Sequence, residues 1–470
     1  MKFVAIDVGS SFMKAALLDT ESLELHIQRE IEMPRANTGK DNLCYEIDAD
    51  CIYQRVKQVI DELIEANGSD IRGITISTQM HGFVFCDEGG RAKTPYVSWQ
   101  DNRCLRINEK GQTYLQELES ILSQEEMRSN GLYLKPGLGF CNAYTAVKQN
   151  TFQIDNGDYF CTLGAYLIFN LTKERKCHIT NAAPLGLVDV KQGCWNQNII
   201  HKLQFDRFQL FDLVSDTTIC GYYHGSYGDV AVYPDWGDQQ VAVLGSFMNA
   251  ITDVNINVAT ASQLGYISNE FNTGAFETRP YFEGLYLNTV TRMPNGKILD
   301  VVVNFVEDIG TRIYQTELSR QELWSRIFGA VEVENSVEMT CDVGFIRDLL
   351  GTKQGYFGNI TDQNFTVGNL FRSVFTTYAN IFDTYLNFIV SDKAKLQRIV
   401  YTGGAILKNP YLQKAIREKI GVSDFCSPIK CEVFLGHLRL ALVCDGKAIN
   451  LSDTANILYP DKKLQCKVIG

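Results

Sequence analysis

An aspartate ends the first apolar strand of the chain and is followed at once by a turn of small residues. The run is D-V-G-S-S at residues 7–11, with Lys14 three positions further on. Backbone N–H groups in such a turn can approach phosphate oxygens because no bulky side chain intervenes. Asp7 could hold Mg²⁺ through water, and Ser10, Ser11 or Lys14 could contact phosphates. The alternative is an ordinary tight hairpin with a surface lysine. No G-x-x-x-x-G-K-[ST] pattern occurs, which argues against a P-loop.

A second aspartate, Asp238, stands in the run W-G-D-Q-Q at residues 236–240, where a helix is predicted to begin. The helix dipole stabilises a carboxylate at this position in its charged form by about 0.3–1 kcal/mol. We therefore expect Asp238 to be ionised at neutral pH, as an acceptor for a hydroxyl proton must be. The alternative is a helix-capping aspartate without chemistry.

Two polar clusters could bind a polyol. The run Q-M-H-G at residues 79–82 follows a predicted strand, and the carboxyl ends of strands face the ligand crevice of an open α/β sheet. Amide and imidazole groups are good partners for sugar hydroxyls. The run W-Q-D-N-R at residues 99–103 combines an aromatic plane with a carboxylate and a guanidinium. The alternatives are a hydrogen-bonded histidine at a capped strand end and a surface ion pair beside a packed tryptophan.

A glycine pair, Gly403-Gly404, follows the predicted strand Arg398–Tyr401. A Gly-Gly turn allows a flat ring or a phosphate to approach closely, although such turns are also common without ligands. The next helix has Asn409 placed as N-cap, Pro410 at its first position and Gly421 beyond its end.

The elements that must position these residues form two related halves. The first 80 residues predict three strands, a helix from about Asp50 to Gly68 and a further strand, an α/β unit unlike the strict alternation of a Rossmann fold. A similar but weaker pattern begins about 250 residues later, where residues 255–262 run from a strand into small hydroxylated residues. We place the boundary near residue 245, giving domains 1–245 and 246–470 with a cleft between them.

Composition narrows the class of protein. The 470 residues include 44 Lys+Arg and 55 Asp+Glu, a net charge of −11, and no basic block that would suit nucleic acid or an anionic membrane. The 14 cysteines are scattered without a CxxC pair, as expected for reduced thiols. With no secretory signal and no apolar stretch near 18 residues, we expect a cytoplasmic protein.

Each signal is modest alone, but their order and spacing resemble the FGGY family of carbohydrate kinases along essentially the whole chain. The resemblance implies two actin-like (ribonuclease H-like) α/β domains flanking a central cleft, in which ATP, Mg²⁺ and a sugar meet. It implies Asp238 as catalytic base and Asp7 and Asp238 as metal-binding residues. With the motifs above, the expected sugar contacts are Gln79, Met80, His81, Trp99, Asp101, Asp238 and Gln239. The expected nucleotide contacts are Asp7, Gly9, Ser10, Ser11, Lys14, Thr260, Gly403, Gly404 and Asn409.

The expected reaction is ATP-dependent phosphorylation of the terminal hydroxyl of a small-molecule ketose. Sedoheptulose is the first expected substrate and D-xylulose the second. A homodimer is the expected oligomeric state. Two departures from the family pattern bear on nucleotide binding. The second phosphate turn reads Ala259-Thr260-Ala261 in place of G-T-S, and a C-terminal G-A-A stretch reads Gly436-His437-Leu438. A non-sugar actin-like ATPase and a sugar-binding regulator without catalysis are the alternatives.

Overall fold

The computed structural model describes residues 1–291, 293–333, 339–345, 354–390, 392–427, 431–460 and 463–469. The strands of residues 1–245 are β1 (Lys2–Val8), β2 (Phe12–Asp19), β3 (Glu24–Glu32), β4 (Glu46–Ile47), β5 (Ile71–Thr78), β6 (Val84–Cys86), β7 (Tyr96–Val97), β8 (Tyr159–Cys161), β9 (Lys176–His178), β10 (Val188–Asp189), β11 (Cys194–Trp195), β12 (Gln209–Leu210), β13 (Asp212–Val214), β14 (Tyr222–Gly225) and β15 (Gly228–Gly237). The later strands are β16 (Asp253–Val258), β17 (Ser262–Ser268), β18 (Glu277–Pro280), β19 (Tyr286–Thr291), β20 (Thr340–Asp342), β21 (Tyr356–Gly358), β22 (Arg398–Thr402), β23 (Ser423–Cys426) and β24 (Lys467–Ile469).

The helices alternate with these strands. Those of residues 1–245 are α1 (Ala49–Asn67), α2 (Tyr114–Ile121), α3 (Gln124–Ser129), α4 (Gly139–Lys148), α5 (Leu163–Thr172), α6 (Ile179–Ala182), α7 (Gln197–Lys202) and α8 (Asp238–Gly245). The later helices are α9 (Gly296–Ile313), α10 (Arg320–Val333), α11 (Val367–Ile389), α12 (Gly404–Leu407), α13 (Pro410–Ile420), α14 (Glu432–Cys444) and α15 (Leu451–Leu458).

Two large sheets share one plan. In the first, the order is β14-β15-β5-β1-β2-β3-β24; β1 to β3 form an antiparallel meander, and β5 and β15 continue it in parallel with β1. In the second, the order is β18-β19-β17-β16-β22-β23; β16, β17 and β19 form the meander, and β22 and β23 lie parallel to β16. The predicted pair of related α/β halves is therefore present.

Local predictions at the strand and helix ends also agree with the structure. Helix α1 begins after Asp48, whose carboxylate accepts from the N–H of Cys51, and it is followed by Gly68 at φ 61°. Helix α13 begins after Asn409, whose side-chain oxygen accepts from the N–H of Leu412, and Gly421 follows at φ 82°. These ends are set by residues within a few positions of each other, so the sequence pattern suffices to predict them.

The C-terminal part of the chain returns to the first sheet. Strand β24 pairs in parallel with β3 at its edge, and one apolar core joins Phe3 of β1 to Val241 of α8 and Leu438 of α14. The predicted boundary near residue 245 stays a prediction, but the two halves share this core, so α14 supports both.

Helices α8 and α14 cross at two glycines. A Cβ at Gly436 would lie 2.0 Å from the carbonyl oxygen of Val241, and one at Gly245 would lie 1.8 Å from that of Glu432. Because real Cβ atoms essentially never approach backbone so closely, only glycine lets the helices meet at this distance.

None of the described helices is both long and apolar enough to cross a bilayer. The 14 cysteines, all of which lie in the described ranges, form no disulfide.

We expect Gly436→Ala to lower the free energy of unfolding by about 1–3 kcal/mol or more, because the new methyl group must separate two backbones. Gly329→Ala is the matched control: Gly329 lies in α10 with open space at its Cβ, and alanine there should stabilise the helix by about 0.5–1 kcal/mol. Denaturant unfolding of both variants measures the difference. Equal stability of the two variants would contradict the close crossing.

Candidate active site

The turn between β1 and β2 is tied to the end of β5 by hydrogen bonds. The indole N–H of Trp99 donates to Ser10 Oγ at 2.9 Å, and Ser10 Oγ donates to Gln79 Oε1 at 3.1 Å. The amide of Gln79 donates in turn to the carbonyl of Gly9 at 3.2 Å. Gln79 is buried and both ends of its amide are used. Gln79 therefore holds the turn in place, and its contact with a sugar stays a prediction. Trp99 is 41% exposed.

The other residues of this turn have separate positions. Ser11 is exposed, and its carbonyl accepts from the N–H of Met33. The Lys14 ammonium lies 3.3 Å from the Glu30 carboxylate, and its charge also lowers the pKa of Asp7. Lys14 is thus both a surface lysine and an electrostatic neighbour of Asp7.

Asp7 lies near the end of β1 and Asp238 at the start of α8, close enough for their charges to interact. Burial raises the pKa of Asp7 to about 6, against the lowering effects of the Ser77 hydroxyl and Lys14. Burial, and then the negative charge of Asp7, raise the pKa of Asp238 to about 7. Burial therefore works against the helix dipole, so the dipole alone does not set the charge of Asp238 at neutral pH.

Asp238 is also not the N-cap of α8. That position belongs to Gly237, and Asp238 is the first helical residue, with its Oδ1 2.7 Å from the N–H of Gln239. A Cβ at Gly237 would lie 2.6 Å from the sulfur of Met80, so Met80 packs directly beside the base of this helix. The structure thus brings Met80 and Asp238 together as predicted.

The imidazole of His81 has one defined tautomer. Its Nδ1 lies 2.9 Å from the carbonyl oxygen of Pro184, to which it must donate, so Nε2 is the acceptor. That acceptor lies 3.0 Å from a guanidinium nitrogen of Arg279. Burial, then the charges of Arg279 and Lys135, lower the pKa of His81 to about 3. His81 has φ 68°, which is uncommon for a residue other than glycine and turns its ring toward the second half.

Arg279 joins the two halves of the cleft. Its guanidinium donates to Gln239 Oε1 and to Glu277 Oε2, the latter at 2.6 Å. Glu277 is buried and also accepts from the Lys135 ammonium. Burial alone would raise the pKa of Glu277, but the two neighbouring cations lower it overall. Glu277 is therefore a buried anion between two cations, one from each half.

Gln239 is held by the same group of strands. Its side-chain N–H groups donate to Gln263 Oε1 at 2.6 Å and to Thr289 Oγ1 at 3.0 Å. A polar surface made by β17, β18 and β19 thus closes the cleft opposite His81 and Asp238.

Asp101 lies behind the cleft surface. Its carboxylate is fully buried, binds the Arg103 guanidinium at 2.8 Å and accepts from the N–H of Tyr45 at 2.7 Å. Arg103 also binds Glu46. The pair is buried and fixes the loop that carries Trp99, so the alternative of a surface ion pair is wrong. The sugar contact by Asp101 stays a prediction.

The small-residue turns of the second half meet at the start of α9. The carbonyl of Ala259 accepts from the N–H of Gly296 at 2.8 Å, and a Cβ at Gly403, where φ is 90°, would lie 2.6 Å from the carbonyl oxygen of Val258. Thr260 is exposed at the turn. Gly404 has open space at its Cβ. Three residues that were predicted to contact the nucleotide, Thr260, Gly403 and Gly404, therefore lie on neighbouring turns.

Asn409 is buried and caps α13 through its side-chain oxygen. Its Nδ2 has no hydrogen-bond partner within the described ranges. A buried amide donor without a partner is costly, so a ligand acceptor fits there.

Sequence reasoning missed the cluster of Lys135, Gln263, Glu277, Arg279 and Thr289. Arg279 lies in β18, and one sequence does not show that it meets His81 from 198 positions away. In the sequence, the members of this cluster look like ordinary polar residues. They form a cluster only because the second large sheet faces the first half.

Comparison with known proteins agrees with this geometry. Residues 2–245 match the N-terminal domain of the FGGY family of carbohydrate kinases. A sedoheptulokinase of Mus musculus is 23% identical over 455 residues, covering 88% of this chain and 92% of that protein. A xylulose kinase of Lactococcus lactis is 24% identical over 261 residues, covering 52% and 48% of the two chains. The structure of a ligand-bound xylulose kinase from Lactobacillus acidophilus superposes with a TM-score of 0.81 at 18% identity, covering 97% and 91%.

The chain belongs to the FGGY family of carbohydrate kinases, and the predicted α/β fold of two actin-like halves around a cleft is confirmed. It is an ATP-dependent sugar phosphotransferase, so the predicted enzyme class is confirmed and the non-sugar ATPase is set aside.

We expect the ligand-free wild type to lose stability relative to Asp238→Asn as the pH rises from 5 to 8. With a native pKa of about 7 against 3.8 unfolded, the stabilising effect of the raised pKa is fully present below about pH 4 and lost through pH 7. The thermal midpoint of Asp238→Asn minus that of the wild type should therefore increase with pH. Asp362→Asn, on an exposed loop, is the control and should show no such trend. A flat difference for Asp238→Asn would show that the carboxyl is not destabilised as an anion.

Proposed function

We propose that the protein transfers the γ-phosphoryl group of ATP to the terminal hydroxyl of a ketose, with sedoheptulose as the first substrate to test. The observation that carries the proposal is the closeness of Asp238 to Asp7 in a cleft where Arg279 of the second half meets His81 and Gln239 of the first. The extended match to a sedoheptulokinase supports the choice of sugar.

Asp238 is the proposed base. Its raised pKa means that the carboxylate gains by accepting a proton, and its place at the start of α8 points it at the cleft. In the proposed step the terminal O–H proton of the ketose passes to Asp238 and the freed oxygen bonds to the γ-phosphorus. The bond from that phosphorus to the bridging oxygen breaks, and ADP leaves with the electron pair. General-base help of this kind contributes about 10²–10⁴-fold.

Asp7 and Asp238 also fit Mg²⁺. Both carboxylates are buried, and the repulsion between them raises the pKa of Asp238, so a divalent cation between or beside them would be favoured. Carboxylate oxygens are ligands that Mg²⁺ prefers. When bound with nucleotide, the ion would neutralise charge on the β- and γ-phosphate oxygens.

The nucleotide is proposed to lie across both small-residue turns. Gly9, Ser10, Ser11 and Lys14 would face its phosphates from the first half, and Thr260 from the second. Gly403, Gly404 and the free Nδ2 of Asn409 would face the rest of the nucleotide. The Ala259-Thr260-Ala261 turn keeps one hydroxyl, which is exposed and available.

The sugar is proposed to lie on Trp99, with Met80, His81, Gln239 and Arg279 around it. Arg279 was not among the predicted contacts; it donates to the acceptor atoms of His81 and Gln239, so a sugar hydroxyl would share or displace these bonds. The relation to xylulose kinases makes D-xylulose the second candidate.

Asp238→Asn should lower ketose-dependent ATP turnover by about 10²–10⁴-fold, since the amide keeps the shape and removes the base. Coupled detection of ADP at saturating ATP measures the rate, and Asp362→Asn, on an exposed loop, controls for the charge change. A loss of less than about tenfold would contradict the assignment of the base. Sugar binding by the wild type without turnover would instead indicate a regulator.

Arg279→Lys should raise KM for the ketose by about 10–100-fold with a smaller change in KM for ATP, because a lysine ammonium lacks the planar fork that reaches His81, Gln239 and Glu277 together. The matched control is Arg326→Lys, at an exposed helical ion pair. A rise in both KM values alike would show that Arg279 acts on the whole cleft and not on the sugar.

A panel of sedoheptulose, D-xylulose, ribulose, fuculose and glycerol tests the substrate. The highest kcat/KM is expected for sedoheptulose. A higher value for D-xylulose would move the assignment to the five-carbon ketose without affecting the proposed base.

A further inference from the structure

His437 occupies a position that the family pattern gives to alanine, and it is fully buried in α14. Its Nε2 lies 3.0 Å from Ser77 Oγ, 360 positions away on β5. Ser77 Oγ in turn donates to Asp7 Oδ1 at 2.7 Å. A continuous line of hydrogen bonds therefore runs from the last long helix of the shared core to the carboxylate of Asp7.

The direction of these bonds follows from the number of protons. Ser77 has a single hydroxyl proton and gives it to the carboxylate of Asp7, so toward His437 it can only accept. His437 must then carry its proton on Nε2. Its Nδ1, in agreement, has no hydrogen-bond partner in the described part of the chain, and the ring lies near those of Trp236 and Phe434. Burial lowers the pKa of His437 to about 3, which agrees with a neutral ring.

The effect on Asp7 is to restrict its rotation. An isolated serine hydroxyl can rotate among staggered positions and offer its proton elsewhere. With the Nε2–H of His437 on its lone pair, the hydroxyl of Ser77 is directed to Asp7 Oδ1. The second oxygen of Asp7 is then left for the cleft.

Helix α14 supports the other carboxylate through the adjacent residue. Gly436 lies against the backbone of α8 at Val241, three residues from Asp238. Gly436 thus packs against the helix that carries Asp238, and His437 bonds to the serine that holds Asp7. The methyl group of an alanine at position 437 could not make the bond to Ser77.

We propose that His437 is a positioning residue, which orients Asp7 through Ser77 for the binding of the magnesium–nucleotide complex. The proposal rests on the proposed role of Asp7. Groups that orient metal-binding residues from behind typically change metal affinity or activity by about 10–100-fold when removed.

The test compares His437→Leu with His437→Gln. Leucine fills the site and removes the donor, whereas the side-chain N–H of glutamine can reach the place of Nε2–H. We expect His437→Leu to weaken binding of MgADP, measured by calorimetry, and to raise KM for MgATP by about 10–100-fold, with KM for the ketose little changed. His437→Gln should restore most of the affinity. Phe434→Leu, which alters packing beside the ring but no hydrogen bond, is the control.

A second measurement uses the ligand-free wild type and does not depend on any variant being active. Long-range ¹H–¹⁵N spectra of protein labelled at its six histidines report the tautomer of each ring, and the signal missing from His437→Gln identifies His437. The Nε2–H form is expected. The Nδ1–H form would overturn the proposal, even if His437→Leu fails to fold.

The variants also separate this proposal from the role of Asp7. If Asp7→Asn abolishes MgADP binding while His437→Leu, folded by circular dichroism, binds as the wild type does, the proposal for His437 is wrong and that for Asp7 stands. If Asp7→Asn binds normally, the role of Asp7 itself is wrong. When it is combined with Ser77→Ala, His437→Leu should cause no further loss of MgADP affinity, because Ser77→Ala already removes the hydrogen bonds that join His437 to Asp7. Full additivity of the two losses, or equal losses in His437→Leu and His437→Gln, would overturn the proposal.

Discussion

Two neighbouring carboxyl groups, Asp7 and Asp238, lose most of their hydration at the cleft, and the surrounding structure must offset this cost. Asp7 comes from β1 and Asp238 from the start of α8, and both carboxyl groups are buried; burial raises the pKa of each, and the charge of Asp7 raises that of Asp238 further. Such an arrangement persists only if the surrounding structure holds it. The same destabilised charge is what makes the pair suitable for a cation and for accepting a proton.

The structure that holds this pair is built from both halves of the chain. Helix α14 meets α8 through two glycines and reaches Asp7 through Ser77, while Trp99, Ser10 and Gln79 fix the turn after Asp7. Opposite them, Arg279 and Glu277 connect the second sheet to His81, Gln239 and Lys135. The groups at the cleft are therefore placed by contacts between the two halves.

The buried polar groups divide into those that face the cleft and those that support it. Gln79 and Asp101 looked like sugar ligands because their residue types suit hydroxyls, but each has its hydrogen-bonding capacity taken by neighbours. His81 and Gln239 lie at the cleft, but they are also bonded there, through Arg279 and its neighbours, so their sugar contacts stay predictions. Residue type predicts what a side chain can do, whereas its unused donors and acceptors show what it is free to do.

Sequence reasoning alone reached the repeated succession of strands and turns, the helix ends at Gly68 and Asn409, and the family, because these depend on periodicity and on residues a few positions apart. The raised pKa of Asp238, the burial of Asp101 and the contacts of Arg279 with His81 and of His437 with Ser77 became visible only in the folded chain. Those features depend on hydration and on contacts between residues up to 360 positions apart, and neither quantity can be read from local sequence.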